Sequence, residues 1–181
     1  MNYIIPMERM VRMKKSTGSI VIIAIIAIII IGFVGSYNGM VSKAEEVDNK
    51  FATIDAQLQR RADLIPNLVN TVKGYAAQEK EIIDSVTEAR AKLTGASTVE
   101  EKANADEELT SALNRLLVVV ENYPELKSSQ NFIQLSDELA GTENRIATAR
   151  RDYNEAVKKY NLKIKRFPTN LMAGMFRFES K

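Results

Sequence analysis

The side chains that could do chemistry here are arginines, carboxylates and tyrosines. Arg60, Arg61 and Asp63 form the sharpest polar cluster, and Glu143, Arg145, Arg150, Arg151 and Asp152 form a second. Two guanidinium groups beside a carboxylate suit charge-assisted recognition of a partner. They do not suit proton transfer near neutral pH, because arginine stays protonated. Histidine and cysteine are both absent. Their absence excludes Ser-His-Asp and Cys-His catalysis, zinc-thiolate sites, disulfides and the Glu-x-x-His sites of di-iron bundles. The turn Glu121-Asn122-Tyr123-Pro124-Glu125 offers two carboxylates, too few for a hard divalent ion. The reading is therefore non-enzymatic, with no catalytic residue, metal or cofactor. Arg60, Arg61, Asp63, Arg150 and Arg151 are the candidate partner contacts. The competing reading is structural: Asp63 caps a helix, the arginines meet carbonyls at a helix end, and the second cluster pairs along a helix surface.

The elements that position these residues start from a membrane anchor. Ile20 to Val34 contains nine isoleucines and no polar side chain, within a charge-free stretch from Ser16 to Ser42. A bilayer core needs about 20 apolar helical residues, so residues 19–37 read as a transmembrane helix. Residues 1–18 are a short basic segment, with Arg9, Arg12, Lys14 and Lys15 against Glu8. The positive-inside rule puts that segment in the cytoplasm and the remainder outside, at a bacterial inner membrane. Translation starting at Met10 or Met13 would leave this orientation unchanged. A cleaved signal peptide is the alternative, with Val34-Gly35-Ser36 as the small-residue site. Its apolar core would lie at or beyond the usual upper length of about 15 residues.

After the anchor the pattern is helical throughout. Met40, Ala44, Val47, Phe51, Ile54 and Leu58 form a heptad stripe, the signature of a coiled coil or bundle helix. This predicts a first helix over 38–60. Asp63 as N-cap and Pro66 in the first turn predict a second helix over 64–93, with Tyr75 on its inward stripe and Gly95 as the stop. The stripe keeps its register from Leu58 to Ile65, so one helix kinked at Pro66 is the alternative. The turn is preferred because a helix of about 80 Å would lack partners to cover it. A capping box in Ser97-Thr98-Val99-Glu100-Glu101, in either of two registers, opens a third helix over 98–122, with Leu109, Leu113, Leu116, Leu117 and Val120 inward. Ser128 or Ser129 opens a fourth over 129–166, whose stripe runs from Phe132 to Phe167 and is interrupted at Gly141-Thr142. That pair marks a weak point or a close helix approach. The expected architecture is all-α: a transmembrane helix, then an antiparallel four-helix bundle over 38–167, then a tail over 168–181.

Charge is unevenly placed. Residues 43–142 carry 11 Lys/Arg and 18 Asp/Glu, and residues 143–181 carry 10 and 4. A basic helix beside acidic ones in a bundle explains this better than nucleic acid, for which no base-reading motif is present. Four up-and-down helices return the chain to the bilayer. Lys165, Arg166, Leu171, Met172, Phe176 and Phe178 are therefore candidate membrane contacts. The alternative is a tail folded back over the open end of the bundle.

Three stretches resemble the LemA family: Arg60 to Val69 with Val72 to Ala76, Glu121 to Lys127, and Thr142 to Asn154. The resemblance covers roughly Tyr37 to Phe178. It implies a bacterial single-pass membrane protein with a helical-bundle domain and no established catalytic activity. The family includes a protein of magnetosome membranes, which implies a role in organising membranes or membrane proteins. The family often has His where this chain has Gln78, and often continues past the Phe176 region. The expected partners are the lipid bilayer and an unidentified membrane or envelope protein, with self-association left open. The expected function is a scaffold or interaction module, the alternative a sensor that passes a signal through the anchor.

Overall fold

The computed structural model describes the backbone from Met7 and the side chains from Gly18 to Lys181. The basic flank of Arg9, Arg12, Lys14 and Lys15 lies outside the described side chains. The described chain is all-α, with no strand: α1 (Met7–Lys73), α2 (Lys80–Gly95), α3 (Val99–Val120), α4 (Pro124–Lys127), α5 (Gln130–Lys165) and α6 (Thr169–Met175). It forms two compact units. One consists of the residues up to Glu45 together with Lys158–Lys181, the other of Glu46–Val157.

The expected break between the first two helices is corrected. α1 runs unbroken through Arg60, Asp63 and Pro66 to Lys73, so residues 64–73 belong to the first helix. Asp63 caps nothing; it accepts a hydrogen bond from Gln59 Nε2 one turn earlier, at 2.8 Å. Proline inside a helix leaves the carbonyl four residues back without its donor. That carbonyl belongs to Ala62, and Arg90 Nε of α2 donates to it at 2.8 Å. A guanidinium from a neighbouring helix thus replaces the amide hydrogen that Pro66 lacks. The true stop is Gly74, whose N–H bonds back to the carbonyls of Asn70 and Thr71. Tyr75 therefore leaves the helical register and is exposed, not core.

The other elements follow their sequence signals more closely. Thr98 caps α3 in a capping box with Glu101. Tyr123, before Pro124, leaves the helical region and starts the single turn α4. Gly141 does not mark a close approach: nothing lies within 4 Å of the position a Cβ would take. Thr142 beside it is fully buried, its hydroxyl donating to the Leu139 carbonyl at 2.7 Å.

Within Glu46–Val157 one core collects residues from four long helices: Ile54, Leu58, Ile65 and Leu68 of α1, Ile83 and Val86 of α2, Leu109 and Leu116 of α3, and Phe132 and Ile146 of α5. Leu117, expected inward, is exposed. The inward stripe of α3 steps from Leu109 to Leu113, Leu116 and Val120, and Leu117 falls beside it. The other unit buries Met40, Tyr160, Ile164, Thr169, Met172 and Ala173. Its apolar stretch Ile20–Val34 is exposed on every face, and α1 is long and apolar enough there to cross a membrane.

Candidate functional site

The heptad register of α1 passes through Arg61, one step after Leu58 and one before Ile65. Its guanidinium is thereby carried into the core and is only 4% exposed. Desolvating such a charge costs several kcal/mol unless it is paired. The partner is Asp106 of α3, 2% exposed, whose Oδ1 accepts from Arg61 Nη1 at 2.6 Å. Asp106 Oδ2 accepts from Arg150 Nη2 of α5 at 2.9 Å. Arg61 Nη2 donates to Thr110 Oγ1 at 3.0 Å, and Thr110 in turn donates to the Asp106 backbone carbonyl at 2.8 Å. Glu143 Oε2 lies 2.6 Å from Arg61 Nη1 but makes no aligned hydrogen bond. Two guanidinium groups and two carboxylates thus balance inside the helical unit. The arrangement can fix the register of three helices; it offers no group poised for proton transfer.

The structure brings Arg61 and Arg150 together and leaves the other three candidates apart. Arg60 points outward, 3.9 Å from Glu138, beside an open groove of about 470 Å³ lined also by Gln130, Asp137 and Arg145. Asp63 and Arg151 are exposed. The expected role for the arginines, meeting carbonyls at a helix end, does not hold, because α1 does not end there. Asp106 escaped the sequence reading, although a signal existed. It lies three residues before Leu109, so one more heptad step puts a carboxylate on the core stripe.

The charged cluster adjoins a groove of about 280 Å³, whose walls include Leu68, Leu113, Leu116, Leu117, Leu139 and Ala140. Arg61, Glu143 and Ser136 also line it, and the Ser136 hydroxyl is buried without a partner. Away from it, the turns after α1 and α3 are tied by Tyr123. Its hydroxyl donates to Glu79 at 2.7 Å and accepts from Gln78 Nε2 at 2.8 Å. The bond to the Glu79 carboxylate raises the Tyr123 pKa.

In the first unit, Lys165 and Arg166 are exposed at the end of α5. Leu171 is exposed, but Met172 faces inward, because the opposite side of α6 packs against its neighbours. Phe176 stacks edge-on against Phe33 and Tyr37, with ring centroids 5.9 and 4.9 Å apart, and Phe178 lies 5.8 Å from Tyr37. Tyr160 donates to the Glu179 carbonyl, and Asn161 to that of Lys181. The tail therefore folds back, and Met172 is removed from the candidate membrane contacts.

The LemA family profile matches residues 50–181, a range that contains both the buried cluster and the groove. The chain belongs to the LemA family. The magnetosome protein MamQ 2 of Paramagnetospirillum magneticum is 31% identical, over 79% of this chain and 62% of that protein. Protein LemA of Metamycoplasma hominis is 32% identical, over 78% of this chain and 65% of its own length. The magnetosome protein MamQ of Magnetospirillum gryphiswaldense is 27% identical, over 79% and 62%. The matches span somewhat less than two thirds of these curated relatives. In this LemA-family chain Gln78 serves as a donor to Tyr123.

Proposed function

We propose that this LemA-family chain is a non-enzymatic, single-pass membrane module. In this reading α1 crosses the bacterial cell membrane with its N-terminus in the cytoplasm. The helical unit outside then docks other membrane or envelope proteins. The observation that carries the proposal is that one helix, α1, supplies both an apolar span exposed on every face and, further along, a stripe of the core. The basic flank before the span supports the orientation. The groove between α3 and α5 supports docking. It is apolar, has an arginine and a carboxylate at one side, and carries the exposed Leu117 among its walls. An apolar side chain of a partner helix, flanked by a polar residue, has the matching chemistry. Two of the relatives are, by name, magnetosome proteins.

Continuity of α1 from Gly18 to Lys73 favours one second reading, a sensor passing a signal through the anchor. In that reading the span relays the signal to a separate partner. Both readings are tested in cells with a photo-crosslinking residue at Leu117 and, as control, at Arg151. The docking reading expects one discrete adduct from Leu117, abolished by filling the groove with Leu139→Trp. Equal labelling from both positions would refute it, and an adduct that exchanges on ligand addition would favour the sensor. A single cysteine at Ser128 tests orientation: an impermeant maleimide should label it in intact spheroplasts.

A further inference from the structure

The end of the proposed span and the chain's C-terminal tail meet in one unit. About 20 helical residues cross a bilayer core, so a span beginning at Ile20 ends near Gly39. Tyr37 then lies at the edge of the hydrocarbon, where aromatic rings collect, and Phe33 about 9 Å inside it. The contacts of Phe176 and Phe178 with these two rings hold the tail at that level.

Held there, the tail shows two faces. Thr169, Met172 and Ala173 are packed away. Phe167, Leu171 and Met175, spaced four residues apart, are 80%, 66% and 62% exposed. No charged residue occurs within α6. In water this stripe would be an unpaired apolar face; against lipid it has a solvent. Beside it, Gly39, Ser42 and Lys43 of α1 and Lys159, Leu162, Lys163 and Arg166 of α5 line a groove of about 400 Å³. Four of its seven residues are cationic and none is acidic. Gly39 faces Lys163 closely: the Lys163 Cε and Nζ atoms lie 3.4 Å from where a Cβ would stand. The Thr169 hydroxyl bonds to the Lys163 and Arg166 carbonyls and so fixes the turn that joins groove to stripe.

We propose that this unit is a second membrane contact, specific for anionic phospholipid. Phe167, Leu171 and Met175 enter the acyl boundary, and Lys163 and Arg166 receive the headgroup phosphate. Phe176 and Phe178 act differently: they clamp α6 to the anchor. The proposal rests on α1 crossing the bilayer and is independent of the docking groove on the other unit.

The chain has no tryptophan, so Phe167→Trp is a single reporter at an exposed position. The full chain carrying it is reconstituted into phosphatidylcholine vesicles that contain brominated phosphatidylglycerol or, in equal amount, brominated phosphatidylcholine. Quenching should be strong and greater with the anionic lipid. Lys163→Gln with Arg166→Gln should lower that lipid preference about fivefold per cation. Ile133→Trp, in the other unit, is the control and should not be quenched. An unquenched F167W with the emission of indole in water would overturn the membrane contact. Quenching that ignores lipid charge would overturn the headgroup site. Loss of the preference on adding inorganic phosphate would show a soluble-anion site instead. Quenching that weakens as protein becomes dilute in the bilayer would show that the stripe faces a second copy.

Discussion

Two stretches of α1 can be compared directly, because they share one helix. Ile20–Val34 is apolar around its whole circumference and exposed. Ile54–Val72 is apolar along one stripe, and that stripe is buried. The second stretch carries a charge, Arg61, in its core register; the first carries none. Local hydrogen bonding does not explain the difference, since both stretches are α-helix. What differs is whether a charge can be answered. Arg61 is met by Asp106 and Thr110, with Glu143 close by. On the proposed reading a charge in the span would meet only lipid, which cannot answer it.

The sharpest way to break this comparison is to remove the answering charge. Asp106→Leu leaves Arg61 buried beside a single off-axis carboxylate and should cost about 3–5 kcal/mol. Urea unfolding of the full chain in detergent, followed by circular dichroism, measures it. Arg61→Met combined with Asp106→Leu should recover most of the loss, because packed apolar residues often replace a buried ion pair without penalty. A single-variant loss under about 1 kcal/mol would mean that Arg61 reaches water.

The same logic explains what was legible in the sequence. The limits of α3 and α5, read from capping signals and apolar stripes, lie within two residues of those expected; the span was read from an unbroken apolar run. The α1–α2 boundary was misplaced because Asp63 and Pro66 are start signals in isolation. What overrides them is Arg90, which is 24 residues beyond Pro66 and supplies the donor that proline lacks. Asp106 was missed because only apolar residues were counted along the stripe. Tyr75 was misplaced by running the stripe past the end of α1 at Lys73, and Leu117 by counting the neighbour of Leu116 as part of the stripe. Non-local answers of this kind, one helix completing another, leave no periodic trace.

In the span, Ile26→Asp introduces a charge that nothing can answer. On the insertion scale it should cost about 3–4 kcal/mol, counting the lost isoleucine. The nine isoleucines leave margin, so insertion should weaken rather than fail. Glycosylation mapping of the span in microsomes reads the change in inserted fraction, and an unchanged fraction would place Ile26 outside the bilayer.

Arg90 gives a smaller and more specific effect. Arg90→Met should cost about 1–3 kcal/mol by leaving the buried Ala62 carbonyl unmet. In a Pro66→Ala background the helix supplies its own amide hydrogen, so the same substitution should cost clearly less. Equal costs in the two backgrounds would show that Arg90 matters for packing alone.

The smallest effect lies at a charge answered at the surface. The Glu101 carboxylate accepts the backbone N–H groups of Ser97 and Thr98, at 2.9 and 3.0 Å, and the Ser97 hydroxyl at 3.1 Å. These bonds favour its ionised form and lower its pKa from 4.5 to about 2. Because the folded value is the lower one, the contribution to stability is complete above the unfolded pKa. It falls away as pH drops from about 4.5 towards 2. Amide protection factors at the first turn of α3, corrected for the intrinsic pH dependence of exchange, should therefore fall over that acid window. Glu101→Gln keeps an acceptor but cannot titrate, so it should remove the pH dependence. The Glu101 carboxyl resonance should titrate near the lowered value; a midpoint at 4.5 would mean that solvent, not the capping box, answers this charge.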